Sequence, residues 1–407
     1  MSGYRIKGEG ESMKTLSGGV TVARGFSASG LACGIKKNGA PDLALVFSEL
    51  PARAAGVFTA NKVKAAPVII SQERVKGAVT RAVIINSGNA NACVGEEGLS
   101  AARAVSQSVA KSLQIKSEEV LIASTGVIGV PLPTTRIEGA IPSLVSRLST
   151  TGGTAAAQAI MTTDTYAKEW AVELQSGIRI GGMAKGSGMI QPNMATLLSV
   201  ITTDALLDQE VLQELLRKAV NKTFNRITVD GDTSTNDSVF LLANGASGKP
   251  ELTTKEEIQE FYEGLYEVCL QLAKMLVRDG EGATKLLTVR VCRASSEAEA
   301  ESAARAVANS NLVKTAFFGE DANWGRILTA VGYSGINIVP ERVEISLGDL
   351  PVYSGRGLPF DEEKAARILG EKEIEVNINL NQGEAEATIW TCDLSYDYVK
   401  INGSYRT

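Results

Sequence analysis

The sequence predicts a mixed α/β (α+β) protein whose C-terminal part is rich in strands. Three observations lead there. Short apolar runs alternate with Gly- and Ala-rich loops through the first half; amphipathic helical stretches follow; and from Leu286 onward strand-like patterns return. At 407 residues the chain exceeds one ordinary core, so a composite fold is expected. With 44% apolar and 21% charged residues, it has the balance that closes a sizeable core.

In chain order, "ALVFSEL", "AAGVFTA", "APVIIS" and "RAVIINSGNANACVG" read as strands and tight turns. A helix is expected from Leu99 to Leu113, then a strand at "EVLIAS" running into the loop "TGVIGVPLP", then two helical stretches before "MTTDTYAKEW". "LLSVITT" is a β-favouring apolar run. "QEVLQELLRKAVNKTF" is an amphipathic helix, and a second spans about Lys255 to Val277, opened by a capping box of Thr254 and Glu257. After a candidate boundary near Ala283, "LLTVRVC", "VEISLGDLPVYSG", "EIEVNINLNQGEAEATIWTC" and "YDYVKIN" read as a strand-rich tail with one helix, Ala303 to Asn309, inserted.

Several function classes fall away. Net charge is -5 and the cations are scattered, which gives no phosphate-tracking surface, so nucleic acid is not an expected partner. No segment approaches the roughly 20 apolar residues of a membrane span, and the N-terminus lacks a signal-peptide core, so a cytoplasmic protein is expected. Cys33, Cys93, Cys269, Cys292 and Cys392 are widely spaced and read as reduced core thiols. "GGMAKGSG" lacks the setting of a phosphate loop and fits a tight turn, while "DGDTSTND" lacks the glycine and glutamate of a calcium loop and fits turn and capping roles. The chain has no histidine. Ser-His-Asp and Cys-His machinery is excluded, and no metal site is expected.

Against that background, Pro192 and Asn193 favour a turn immediately ahead of Thr196, which stands at the mouth of an apolar run. A threonine hydroxyl is a weak nucleophile without a base. In a chain without histidine the economical base is the α-amine of the same residue, with a reference pKa of about 7.7 to 8.0, freed by cutting the bond before it. The alternative is that Thr196 simply begins a strand.

"GSGMIQPNMATLLSVITTDA" closely resembles the self-cleaving segment of the ornithine acetyltransferase (glutamate N-acetyltransferase) family of arginine biosynthesis. "GVFTANKVKAAPV", "INSGNANACVG", "STGVIG", "MTTDT", "FNRITVDGDTSTND", "RDGEGATK", "GEDANWGRI" and the terminal "NGSYRT" are similar to that family's blocks, in order, from about Gly19 to Thr407. Ala167 stands where the family favours proline.

The resemblance implies a layered αββα sandwich of N-terminal-nucleophile-like type with a strand-rich C-terminal domain over about 284–407. It implies cleavage between Ala195 and Thr196, giving an α chain of residues 1–195 and a β chain of residues 196–407, assembled as α2β2. Thr196 would then take acetyl from N2-acetylornithine and pass it to glutamate in a ping-pong cycle, without a cofactor. Thr125 and Gly126 would serve the oxyanion, and Thr162, Lys185, Thr196, Glu281, Asn402 and Thr407 would bind substrate. Three alternatives stay open: an enzyme that also uses acetyl-CoA, an aminopeptidase or amidase on the same fold, and a non-catalytic amino-acid-binding protein.

Overall fold

The structure, a computed structural model, describes residues 13–191 and 197–404. Ala195, Thr196 and Thr407 lie outside the described residues.

The larger sheet has nine strands among the described residues. In order these are Met13–Leu16, Lys168–Leu174, Arg179–Lys185, Leu198–Thr203, Ser238–Ala243, Leu43–Phe58, Thr80–Asn89 and Val120–Val127, with Phe26–Leu31 paired beside Leu43–Phe58. The Leu43–Phe58 strand serves two layers. Residues 43–48 pair with Phe26–Leu31 and residues 43–47 with Thr80–Asn89, whereas residues 53–58 pair with Ser238–Ala243.

Side-chain alternation turns these halves into a sandwich, because successive residues of a strand face opposite sides. Met183, Val200, Phe240 and Leu242 of one half share a core with Val46, Val83, Ile85 and Leu121 of the other. Their neighbours face outward: Ile201, Val239 and Leu241 pack against the helices Gln209–Lys222 and Lys255–Arg278. On the far side Leu45, Ile84 and Ile122 pack against Gly95–Leu113 and Thr134–Ser146. The layers are therefore helix, sheet, sheet, helix, the αββα architecture expected.

A second, five-stranded sheet runs in the order Leu350–Ser354, Glu344–Leu347, Glu373–Asn379, Leu286–Ala294, Ala385–Cys392 and has its own core with Glu297–Asn309. Trp390 and Cys392 at its edge enter the core of the helix Lys255–Arg278.

Several local expectations are corrected. "APVIIS" is not a strand but the start of a helix, Ala66–Arg74, which Pro67 opens. "ALVFSEL" and "AAGVFTA" are one continuous strand. In "GGMAKGSG" the residues through Lys185 extend a strand paired on both sides, and only the remainder turns. The C-terminal part holds more than one helix: Glu297–Asn309, Asn311–Phe318, Trp324–Gly332 and Glu362–Leu369 are each opened by a Ser, Asn or Asp cap, at Ser296, Ser310, Asn323 and Asp361. "YDYVKIN" is likewise helical, within Tyr396–Ser404, and pairs with no strand. Cys93 is exposed, and Cys33 and Cys292 are half-buried, so only Cys269 and Cys392 are core thiols.

The helix Lys255–Arg278 carries much of the outer packing. Its capping box is formed as expected, and Phe261, Leu265, Val268 and Leu272 are fully buried against the sheet. Phe261→Ala is expected to cost about 3–5 kcal/mol, read from the urea unfolding midpoint. A loss below about 1 kcal/mol would contradict this packing.

Candidate active site

One rim of the sandwich gathers the ends of its strands. Lys185 is in register with Leu198, Leu198 with Ser238, and Ser238 with Phe58. From the other sheet, the adjacent parallel strands Thr80–Asn89 and Val120–Val127 end at a register shift around Gly88 and Asn89, level with Thr125 and Gly126. A cavity of about 250 Å³ opens there. Thr125, Gly126, Thr162, Lys185, Glu281 and Asn402 all line it, together with Met189, Asp230, Asp232, Asn236 and Tyr398. Every described residue singled out from the sequence is thus in one place, although the positions come from segments far apart in the chain.

Thr125 is held by its neighbours. Asn236 donates through Nδ2 to the carbonyls of Ala90 (2.6 Å) and Ser124 (2.8 Å), tying the acidic loop to the end of the Val120–Val127 strand. Lys185 Nζ donates to Thr125 Oγ1 at 3.1 Å. An ammonium only donates, so the threonine oxygen is the acceptor here and its own proton is free to donate elsewhere. Gly126 has φ +129, and a Cβ there would lie 2.3 Å from the Gly88 carbonyl carbon, so only glycine fits.

Lys185 is buried, and burial pushes its ammonium below the usual lysine range, with Lys168 acting the same way and Asp164, Asp237 and Glu281 opposing. Beneath it lies a buried ion triplet. Lys168 Nζ donates to Asp164 Oδ1 at 2.6 Å and to Asp279 Oδ2 at 2.5 Å. The same Asp164 carboxylate accepts the N–H groups of Gly186 (2.8 Å) and Thr162 (2.9 Å). Burial alone would raise the Asp164 carboxyl, but Lys185, Lys168 and the Gly186 N–H outweigh it and hold it at about 2.

Asp279 extends the support to the opposite wall. Its carboxylate accepts from the Thr165 N–H at 3.0 Å, its carbonyl accepts from Ser187 Oγ at 2.5 Å, and the Glu281 N–H donates to the Ser187 carbonyl at 2.8 Å. Glu281 Oε2 then accepts from Asn402 Nδ2 at 2.8 Å. Gly188 lets this carboxylate approach, because a Cβ at 188 would sit 2.3 Å from Glu281 Oε2. Lys185 is the one cation among the described lining residues and shares the cavity with the carboxylates of Glu281, Asp230 and Asp232, so both signs of charge are present for a zwitterionic ligand.

The sequence reading did not single out Asp164, Lys168, Asp279, Asp230, Asn236 or Tyr398. Asp230 caps the turn at Met189 and Ile190, in keeping with the turn and capping role expected for "DGDTSTND", yet that run also forms one wall of the cavity. Burial raises the Asp230 carboxyl, against the N–H groups it accepts. Among the described residues no group of three or more Cys, Asp or Glu side chains is arranged to hold a metal, and no helix is long and apolar enough to cross a membrane.

Comparison with known proteins identifies the family. The ArgJ family model matches residues 27–407. The arginine biosynthesis bifunctional protein ArgJ of Symbiobacterium thermophilum is 53% identical over 402 residues, covering 97% of this chain and all of that relative. Its counterpart in Caldanaerobacter subterraneus subsp. tengcongensis is 50% identical over 404 residues, with 97% of this chain and all of that relative covered. A solved chain of ornithine acetyltransferase from Mycobacterium tuberculosis, complexed with ornithine, is 44% identical and covers 45% of this chain and 99% of that one at a TM-score of 0.44. The protein is an acyl-transferring enzyme of arginine biosynthesis. It belongs to the ArgJ family.

The depressed Asp164 carboxyl makes a signed prediction. A carboxyl lowered from its ordinary 3.8 to about 2 contributes stability that is present above 3.8 and is lost as pH falls through about 2. Asp164→Asn is expected to be destabilised by about 3–5 kcal/mol at pH 5, because it strips a partner from buried cations. The gap to the parent protein, read from urea midpoints, is expected to narrow between pH 4 and pH 2. A gap that stays constant over that range would contradict the assignment.

Proposed function

We propose that the protein moves acetyl from N2-acetylornithine to glutamate through an acetyl ester on Thr196, after cutting its own chain between Ala195 and Thr196. The observation that carries this reading is the convergence of Thr125, Gly126, Thr162, Lys185, Glu281 and Asn402 on one cavity. Lys185 there is in register with Leu198, two residues beyond Thr196.

In this reading the Thr196 hydroxyl oxygen attacks the Ala195 carbonyl carbon, the C–N bond breaks, and the nitrogen leaves as the α-amine of Thr196. Water then hydrolyses the resulting ester and leaves Ala195 as a free carboxylate. The freed amine, near pKa 7.7 to 8.0 at its reference value, serves as base for the hydroxyl beside it. In each transfer the hydroxyl attacks the acetyl carbonyl of acetylornithine, and the proton it gives up passes to the departing ornithine nitrogen. The amine of glutamate then attacks the ester and regenerates Thr196.

The tetrahedral oxyanion of each step is met by the Thr125 hydroxyl, whose proton the Lys185 contact leaves free, and by the Gly126 backbone. Lys185 and Glu281 engage the carboxylate and ammonium groups of the amino-acid substrates, with Thr162, Asn402 and Thr407 completing the contacts. We further assign two self-derived chains assembled as α2β2, no required cofactor and a cytoplasmic location. The word bifunctional in the names of the relatives favours acetyl-CoA as a second donor to the same Thr196 ester.

Thr196→Ala is expected to purify as one uncut chain and to lose transfer by at least about 10³-fold. Intact-mass spectrometry together with an acetylornithine–glutamate assay checks both. Two chains, or retained activity, in that variant would remove Thr196 from the mechanism. Production of N-acetylglutamate from acetyl-CoA and glutamate tests the second donor separately, and its absence would leave acetylornithine as the donor.

A further inference from the structure

The segment carrying the Ala195–Thr196 bond is entered through Met189, Ile190 and Gln191, and these residues are fastened to residues 229–232. The Val229 N–H donates to the Ile190 carbonyl at 2.7 Å, and the Gln191 N–H donates to the Asp232 carbonyl at 2.8 Å. Between those two bonds the Asp230 carboxylate accepts the Met189 N–H at 2.6 Å and the Ile190 N–H at 2.8 Å, one on each oxygen. It also accepts the Asp232 N–H at 3.2 Å and the Tyr398 hydroxyl at 3.3 Å.

Met189 has φ +55. A non-glycine residue stays in this left-handed region only when its surroundings over-determine it, and such positions gather at functional sites. On the exit side the Ser238 N–H donates to the Leu197 carbonyl at 3.1 Å, and the Leu198–Thr203 strand is paired on both sides. Both described ends of the segment are therefore anchored to the same rim. At the entry turn the Thr228 and Thr233 hydroxyls donate to the Ile190 and Gln191 carbonyls at 3.2 and 3.4 Å, and Asp230 alone takes the two successive N–H groups of Met189 and Ile190.

We infer that Asp230 is a positioning residue for self-cleavage, holding the Met189–Ile190 turn from which the chain runs on toward the Ala195–Thr196 bond. The inference rests on the reading that Thr196 is the nucleophile. A carboxylate suits the task because it only accepts: two backbone N–H groups reach its two oxygens, and each bond is charge-assisted. An asparagine there would turn an NH2 group toward one of those donors. Asp230 acts through the backbone, and the inference assigns it no step in bond making or breaking.

The test follows conversion of the full chain to two fragments during cell-free translation. Compared are the parent protein, Asp230→Asn, Met189→Val, and Asp230→Asn combined with Met189→Gly. Asp230→Asn is expected to cleave about tenfold more slowly or worse. Met189→Val, which places a β-branched residue at positive φ without touching Asp230, is expected to slow cleavage as well. Glycine at 189 adopts that φ freely, so the double variant is expected to recover most of the lost rate. Urea midpoints, measured alongside, separate slowed cleavage from a general loss of stability, which glycine at this φ would also relieve.

Cleavage of Asp230→Asn at the parental rate, or a double variant no faster than Asp230→Asn, would overturn the inference. If Asp230→Asn fails to fold, as judged by gel filtration and circular dichroism, Met189→Val decides, and parental cleavage in that variant overturns the inference. A parent chain that stays uncut would instead remove the Thr196 reading beneath it, so the two failures are distinguishable.

Discussion

The buried ammonium of Lys168, shared between Asp164 and Asp279, is the interaction on which the pocket depends. Lys168 is fully buried, and a cation in that position persists only when well paired. Its two carboxylates in turn use their remaining lone pairs on backbone groups, so the cost of burying charge is met by bonds that also fix geometry. Asp164 fixes Thr162 and the turn after Lys185; Asp279 fixes Thr165, and its carbonyl fixes Ser187, to which Glu281 is bonded. Three walls of the cavity are thereby referred to one point. Replacing Lys168 with an apolar residue would strip both buried carboxylates of this cation, and replacing either carboxylate would leave Lys168 with one partner in place of two, which is why the triplet belongs to the site as well as to stability.

The absence of histidine gives this support its chemical meaning. Without imidazole, proton transfer falls to groups whose pKa depends on where they stand, and burial sets those values. Lys185, lowered by burial and bonded to Thr125, turns a threonine hydroxyl into a donor facing the cavity. Glu281 supplies the opposite charge across the same space, approached closely enough to require glycine at 188. In the proposed reaction the base arrives with the nucleophile, as the amine of the same residue.

Much of the fold was legible where sequence periodicity and packing agree. The helix Lys255–Arg278 shows its capping box and apolar stripe openly, and the β-favouring run "LLSVITT" holds the buried strand Leu198–Thr203, whereas its neighbour Ser238–Ala243 was not read from the sequence. Misreadings arose where a local preference pointed the other way. Val68, Ile69 and Ile70 favour strand, yet Pro67 opens a helix there and Ser71 bonds to the neighbouring strand at Ile122. The Tyr396–Ser404 helix has no buried residue, so it shows no apolar stripe; what it offers the site is Tyr398 and Asn402, one turn apart. The described site residues were reached through the family resemblance, and the structure brings them together. The triplet behind them was not legible, since Lys168 meets Asp279 across 111 positions and nothing in either local sequence marks the pairing.

The account stands on an acetyl group resting covalently on Thr196 during turnover. Acetylornithine carrying a heavy-isotope acetyl group, mixed with the purified enzyme in the absence of glutamate and quenched in acid, tests this directly by peptide mass spectrometry. The account predicts one labelled acetyl on the peptide that begins at Thr196, discharged when glutamate is added before quenching. Turnover to N-acetylglutamate with no label ever found on that peptide would contradict it.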